Sequence, residues 1–177
     1  MAIANEQVAH SALVGGAQTA LHSHAGGGGE SENIVRTTGD ITNNSTTFAN
    51  ITGLSFSMAA NTDYIFEAWL IFQSNTATTG IKFSAYSAVA FTAFVLNALI
   101  PIGLDLYVSS PMEASRAYDT GTPSISVDTV NANLLCKIDG LVRNGASAGT
   151  LTLRFAAETT GTVKIMTGSV LRYRQVN

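Results

Sequence analysis

Two histidines spaced two residues apart, His22 and His24, are the pair in this chain whose type and spacing suit metal chemistry. In an extended segment residues i and i+2 point to the same side, so both imidazoles of one chain can reach one point. Two ligands are too few for a stable site, but three chains on a three-fold axis would supply six nitrogens for an octahedral transition ion. The alternative is a polar hinge, and we favour it because four glycines follow directly, Gly26 to Gly29. We therefore predict no bound metal and no cofactor.

Nucleophilic catalysis is not expected, because all three histidines precede Gly26. No serine after that point can find a histidine for a Ser-His-Asp set within its own domain. Cys136 is the single cysteine, so it has no disulfide or Cys-x-x-Cys partner, and we expect a buried structural thiol. Carboxylate pairs of the kind used in glycoside hydrolysis stay open, since spacing does not show which acids meet. We interpret these acids as solvated surface and do not expect the protein to be an enzyme. The acids are Asp63, Glu67, Asp105, Glu113, Asp119, Asp128, Asp139 and Glu158.

The four glycines divide the chain into two parts of different composition. They lose much backbone entropy on ordering and bring no side chain to a core, so we expect neither helix nor strand there. A phosphate loop is excluded because no Lys-Ser or Lys-Thr follows. We predict an extended N-terminal arm and hinge over residues 1–29 and a compact body over residues 30–177. The arm has too few apolar residues to fold alone, so it either lies on another surface or is a flexible tail. The candidate anchoring residues are Val8, Leu13, Val14 and Leu21.

The composition of the chain points to contacts between subunits. Charged residues make up 12% and hydrophobic residues 46% of the chain, so little charge is available to cover a monomer's surface. The net charge is −3, and no basic residue precedes Arg36. A nucleic-acid partner is not expected, because such proteins carry a basic stripe. Arg172 and Arg174 are the nearest candidate for one, and we interpret them as the solvated edge of a terminal strand.

A membrane role is not expected either. The longest apolar run, Ala88 to Leu104, is too short to span a bilayer and is interrupted by Thr92, Asn97 and Pro101. The N-terminus lacks the charged and apolar sections of a secretory signal, so we expect synthesis in the cytoplasm.

After Glu30 the sequence consists of short alternating runs rich in Thr, Val, Ile and Phe, separated by turn residues. This pattern predicts an all-β fold, an antiparallel, jelly-roll-like β-sandwich. The clearest strand is Thr62–Ser74, with a core face of Tyr64, Phe66, Ala68, Leu70 and Phe72. Its other face is mostly apolar too, as in the run at residues 91–96, which indicates cover by a second sheet or by a neighbouring subunit. That face comprises Ile65, Glu67, Trp69, Ile71 and Gln73.

Further strands are predicted along the whole body, with Pro111 to Tyr118 as a weak helical turn. The run Thr150 to Glu158 alternates clearly, and we expect it to pair with the run Asn133 to Val142 across the intervening turn. The other predicted runs are 34–38, 46–51, 54–58, 80–87, 91–96, 104–109, 124–127 and 163–173.

Four stretches of the chain resemble a known family. The hinge Leu-His-Ser-His-Ala-Gly-Gly-Gly, which begins at Leu21, resembles one found before the C-terminal domains of tailed-bacteriophage structural proteins. The stretches at residues 47–54, 60–67 and 168–174 are similar to β-rich domains of phage and prophage virion proteins. The resemblance covers most of residues 20–177, and its motifs are structural, not catalytic.

The resemblance implies a virion protein, commonly trimeric, of the head-decoration, head-fibre or tail-fibre kind. A complete long fibre does not fit, because coiled-coil heptads and shaft repeats are lacking. We favour a homotrimeric capsid decoration or cement protein, with the arm fastened to the major capsid protein or another virion protein and the sandwich on the capsid surface. The first alternative is a head- or tail-fibre tip that contacts host-surface glycans. The second is an enzyme or an unrelated carbohydrate-binding module.

Overall fold

The computed structural model describes residues 32–103, 121–122 and 126–176 together with the backbone of 107–114. All of them belong to one unit, Glu32–Asn177. The strands are β1 (Asn33–Arg36), β2 (Ile41–Asn43), β3 (Ala49–Met58), β4 (Asp63–Ser74), β5 (Ile81–Tyr86), β6 (Phe91–Pro101), β7 (Tyr107–Ala114), β8 (Leu134–Asn144), β9 (Gly149–Ala157), β10 (Val163–Ile165) and β11 (Val170–Val176).

The strands form two antiparallel sheets, which confirms the predicted all-β sandwich. The large sheet has the order β1-β11-β4-β8-β6-β7, and β10 lies beside the end of β4 and pairs with β2. The small sheet has the order β3-β9-β5. One shared apolar core contains residues of both sheets.

The path of the chain follows the jelly-roll order. Strands β1, β3, β4, β5, β8, β9 and β11 alternate between the two sheets, so β1-β11-β4-β8 faces β3-β9-β5. The β6–β7 hairpin extends the large sheet beyond β8. Thr122 lies beside β5, where a fourth strand of the small sheet would pair: its N–H donates to the Phe83 carbonyl at 2.8 Å and its hydroxyl accepts from the Phe83 N–H at 3.0 Å.

Alternation along the strands builds the core. On β4 the predicted inward face is buried from Tyr64 to Phe72, and no residue of it is more than 6% exposed. Burial of each large apolar side chain contributes about 1.5–3 kcal/mol. The small sheet covers this face with Ile81, Phe83 and Ala85 of β5 and Leu151, Leu153 and Phe155 of β9.

The predicted pairing of the run at residues 150–158 with the run at 133–142 is wrong. β9 lies between β3 and β5 in the small sheet, whereas β8 pairs with β4 and β6 in the large one. The turn between them carries the chain from one sheet to the other. Asn144 fixes that crossing, because its side-chain amide donates to the Ala59 carbonyl at 2.7 Å and to the Ser147 carbonyl at 2.9 Å.

The run at residues 163–173, predicted as one strand, forms two. The interruption lies at Met166 to Ser169, where the Ser169 hydroxyl donates to the Met166 carbonyl at 2.9 Å and accepts from the Ile71 N–H at 3.0 Å. Gly168 has a positive φ of 87°, which an L side chain rarely adopts. β10 and β11 therefore pair with successive parts of β4.

Two runs predicted separately, 46–51 and 54–58, form the single strand β3. The register shifts between Asn50 and Ser55, and Gly53 lies in that shift with a φ of 91°. A Cβ on Gly53 would lie 2.7 Å from the Arg36 carbonyl oxygen, so the close approach of the two strands requires glycine here.

Two further expectations differ from the structure, and one strand was not expected. Pro111 belongs to β7 and pairs with Asn97, so the predicted helical turn is wrong as far as Ala114; residues 115–120 lie outside the described residues. Ser126 and Val127, which belong to the predicted strand at residues 124–127, are not in a strand, and residues 124–125 lie outside the described residues. The short strand β2 was not predicted. Among the described residues there is no helix with the length and apolar character needed to cross a bilayer.

Candidate interaction surface

The residues predicted to anchor the arm and to bind metal lie outside the described residues. They are Val8, Leu13, Val14, Leu21, His22 and His24. Across residues 32–103, 121–122 and 126–176, no three His, Cys, Asp or Glu side chains converge on a point where a metal ion could bind. Cys136 is buried in the core, as expected.

The predicted carboxylates lie in different parts of the body, and β4 and β8 bring two of them together. Glu67 and Asp139 are direct cross-strand neighbours. Asp63 pairs with Arg143 at 3.1 Å, and Glu158 accepts a hydrogen bond from the Gly80 N–H at 2.9 Å. Of the remaining candidates, Asp105 and Asp119 and the side chain of Glu113 lie outside the described residues, and Asp128 is exposed.

Glu67 and Asp139 belong to a surface that we call the outer face, the solvent side of the large sheet. Side chains alternate across a strand, so the residues between the core positions of β11, β4, β8 and β6 all point to this side. Antiparallel register then aligns them in rows across the sheet. The row through Glu67 runs from Ile34 on β1 through Arg172, Glu67 and Asp139 to Asn97 on β6.

Charged residues in the middle of the outer face form an ion-pair band of Glu32, Arg172, Glu67, Asp139 and Lys137. Arg172 donates to one Glu67 oxygen from Nη2 at 2.7 Å and from Nε at 3.2 Å, and its Nε lies 3.4 Å from Glu32. The hydrogen bond to Glu67 raises the pKa of Arg172 above its usual value. Lys137 pairs with Asp139 at 3.2 Å. The interpretation of Arg172 as a solvated edge is therefore wrong, because β11 lies between β1 and β4.

The single tryptophan, Trp69, lies beside this band on β4. The Arg172 guanidinium carbon is 4.7 Å from the centroid of its ring, a distance at which a cation is attracted to the aromatic face. A depression of about 400 Å³ lies along the same strands, lined by Glu32, Glu67, Asp139, Arg172 and Arg174 among others.

Apolar side chains lie on both sides of the ion-pair band. One apolar row consists of Ile65, Leu141 and Val95, and the other side has Leu99 next to Lys137 and Leu135 next to Ile71. Of the seven large hydrophobic residues that are exposed within the described part of the chain, five are on the outer face. They are Ile34, Val95, Leu99, Leu135 and Leu141, exposed by 38% to 65%.

The solvent side of the small sheet is different in character. Its rows are polar: Ser55, Thr152 and Tyr86 in one, and Asn50, Arg154 and Ser84 in the next. Arg154 lies over the Tyr86 ring at 5.4 Å and donates to the Phe48 carbonyl. The two sides of the sandwich thus differ, and only the large sheet exposes rows of Leu and Val among the described residues.

The sequence predicted part of this surface. The outward residues of β4 and the run at residues 91–96, which contains Val95, were identified as apolar on both faces, whereas the exposed Leu99 of β6 and the exposed Leu135 and Leu141 of β8 were not. The signal was present, because both runs have apolar residues at odd and even positions alike. A strand with apolar residues at both odd and even positions is typically covered on both faces.

Comparison with known proteins gave no match to a protein-family model and none to a curated protein. Similar solved structures include that of the infectious bursal disease virus VP2 subviral particle, with a TM-score of 0.24 and 8% identity over 84% of this chain and 38% of that chain. The structure of the Gt strain of that virus has a TM-score of 0.22 and 9% identity over 84% of this chain and 42% of that chain. The structure of the Gx strain has a TM-score of 0.22 and 12% identity over 82% of this chain and 38% of that chain. This chain thus spans about two fifths of their length. The fold assignment rests on the strand order and not on these similarities.

Proposed function

We propose that this protein is a non-enzymatic structural component of a bacteriophage virion, a homotrimeric decoration or cement protein on the capsid surface. The observation that carries the proposal is the outer face, where rows of exposed Leu and Val flank charges that are already paired within one subunit. A surface of this kind suits protein association. The hinge that begins at Leu21 adds the resemblance to phage virion proteins. The jelly-roll order is common in viral capsid and lectin domains, and this support is an analogy of fold alone.

The chemistry of the outer face supports a structural role rather than catalysis. Glu67 and Asp139 are neighbours, but Arg172 bonds to the first and Lys137 to the second. A glycosidase would need one of two such carboxyl groups to act as a proton donor beside a bound sugar. Both groups instead take part in ion pairs that run along the sheet.

In this proposal residues 1–29 attach the trimer to the shell. Burial of four apolar side chains, Val8, Leu13, Val14 and Leu21, would contribute about 6–12 kcal/mol in total, and ordering some twenty residues opposes it. One arm therefore binds weakly. Three arms on one trimer bind at an effective concentration set by the glycine hinge, which raises avidity by about 10²–10⁴.

The test is attachment to particles that lack the native protein. Two variants are compared with the full chain: a truncated chain that begins at Glu30, and a full-length chain with Ser at positions 8, 13, 14 and 21. Both are expected to fold and trimerise, since every described strand follows Glu32, and neither is expected to attach. Decoration by the truncated chain as tight as that of the full chain would contradict the role of the arm.

A fibre tip that binds host-surface glycans is the second candidate, and one observation favours it. Arg172 lines the depression together with Glu67 and Asp139 and lies over the Trp69 ring, and ligand sites combine aromatic side chains with a few polar groups. Copy number distinguishes the two, because decoration requires hundreds of copies per particle and a fibre only a few to a few dozen. Binding of the full chain to a glycan array, lost in Trp69→Ala, would support the fibre tip.

A further inference from the structure

We infer that the outer face of the large sheet is the surface through which copies of this chain associate, with β8 and β6 at its centre. The inference rests on the homotrimer of the proposed function and names the strands that form its contacts. Its occupant is a second copy of the same chain; in a ring of three, the outer face of one copy contacts a different surface of the next, because a face that contacts itself closes a dimer. Three observations carry it: the position of the exposed apolar residues, the balance of charge, and the area of the face.

The exposed apolar residues are concentrated on two adjacent strands. Val95 on β6 and Leu141 on β8 are direct neighbours, and they are 45% and 38% exposed. Leu135, at the other end of β8, is 51% exposed, and Leu99 on β6 is 38% exposed. These residues lie on both sides of the ion-pair band, so a flat partner surface would cover both apolar areas at once. In water each of them leaves apolar surface exposed that association would bury.

The balance of charge favours a copy of the chain over a charged partner. The acids on the outer face are Glu32, Asp63, Glu67 and Asp139, and the bases are Arg36, Lys137, Arg143, Arg172 and Arg174. The two sets differ by a single charge, and the pairs Arg172–Glu67, Lys137–Asp139 and Arg143–Asp63 are formed inside one subunit at 2.7–3.2 Å. A second copy therefore meets little net repulsion and need not supply a countercharge. A strongly acidic or basic partner would find an excess of only one charge to match.

The area of the face is of the size that specific association needs. Five strands, β1, β11, β4, β8 and β6, at a spacing of about 4.8 Å and over about eight residues each, cover about 600 Å² in projection. Side chains that stand out from the sheet raise the accessible area above that figure. A standard interface buries about 800 Å² on each partner. The outer face can thus supply most of one interface without the residues of the arm.

The test places a single charge on the outer face or on the opposite side of the sandwich. Val95→Glu and Leu135→Glu introduce a carboxylate on either side of the ion-pair band, and Ser57→Glu introduces one at an exposed outward position of β3. An unpaired carboxylate buried at an interface is costly, so each of the first two is expected to raise the dissociation constant of the oligomer about 100-fold or more. Ser57→Glu is expected to leave it unchanged. Leu135→Thr, which is neutral and suits a strand, serves if a glutamate variant fails to fold.

Mass is measured on the full chain by light scattering and sedimentation across micromolar concentrations, with circular dichroism to verify folding. Trp69 gives a second measurement, because association that covers the outer face shifts its fluorescence to shorter wavelength. The inference is supported if the wild type and Ser57→Glu are oligomeric while Val95→Glu and Leu135→Glu are dissociated.

The other outcomes separate the inference from the proposed function. If both outer-face variants remain oligomeric, or if Ser57→Glu dissociates equally, the inference is overturned while the trimer stands. A monomeric wild type overturns both. A trimer that depends on the outer face but does not bind particles supports the inference and overturns the decoration function.

Discussion

The ring of Phe66 fills the space that a side chain at Gly140 would occupy. The two residues are cross-strand neighbours on β4 and β8, and a Cβ on Gly140 would lie 2.0 Å from Phe66 Cζ. Phe66 is 2% exposed and its ring stacks with that of Phe94 at 6.2 Å between centroids, so it cannot move aside without displacing the core. Glycine is therefore required at this position for packing.

Gly140→Ala is expected to lower the free energy of unfolding by about 1–3 kcal/mol, because it overpacks the core. Urea titration followed by circular dichroism measures the change. Gly39→Ala is the matched control, since a Cβ there meets nothing within 4 Å. Equal stability of the two variants would show that the core adjusts around the added methyl group.

Asp40 makes the stability of the sandwich sensitive to acid. Its carboxylate accepts hydrogen bonds from the Thr167 N–H at 2.9 Å and hydroxyl at 3.0 Å and lies 3.7 Å from Lys164 Nζ. The Thr167 backbone hydrogen bond, then its hydroxyl, then Lys164 hold the pKa of Asp40 below its usual value. The unfolded chain thus binds this proton more readily, so the stabilisation is fully present above about pH 5 and is lost as pH falls through the folded pKa.

Asp40→Asn should therefore lower the melting temperature at pH 7, and the difference from wild type should shrink as pH falls from about 5 to 2. Scanning calorimetry at several pH values measures it. A difference that stays constant over this range would contradict the assigned role of Asp40.

Cys136 is expected to be unreactive in the folded protein. It is fully buried, and desolvation raises the pKa of its thiol, whereas the thiolate is the form that attacks thiol reagents. Ellman's reagent at pH 8 should label less than a tenth of the native protein in the time that labels all of it in guanidinium chloride. Rapid labelling of native protein would show that β8 opens locally.

The histidine pair of the hinge is expected to contribute little to the stability of the trimer. His22→Ala with His24→Ala should change the melting temperature by less than a few degrees, and a chelator should have no effect on the wild type. A loss of ten degrees or more in the variant, reproduced by the chelator on the wild type, would establish the octahedral metal site instead.

The alternation of residues along the strands predicted which side chains face the core, but not the sheet to which each strand belongs. Along β4 alternation predicted the core side chains from Tyr64 to Phe72, and the structure confirms them. The partner of β9 was predicted from sequence proximity and was wrong, because the turn after Asn144 changes sheets. Strand pairing in a sandwich is set by contacts between distant residues, which local periodicity does not contain.

The surface was predicted in two runs that are apolar on both faces, residues 62–74 and 91–96. Trp69, Ile65 and Ile71 indicated a second apolar face on β4. The ion pair between Glu67 and Arg172 joins residues 105 positions apart, and no local pattern links them. The interpretation of Arg172 as an edge residue was wrong for the same reason, since β1 pairs with β11 along the edge that β4 does not occupy.

The pairing of β1 with β11 determines when the molecule can fold during synthesis. Asn33 lies opposite Tyr173, and β10 and β11 together occupy one whole side of β4. Until the segment from Val163 to Val176 has left the ribosome, β1, β2 and that side of β4 have no hydrogen-bonding partners in the large sheet. The nascent chain therefore exposes an unpaired strand edge until Val176 has been translated. Completion of the large sheet therefore follows translation of β11, however early the other strands are made.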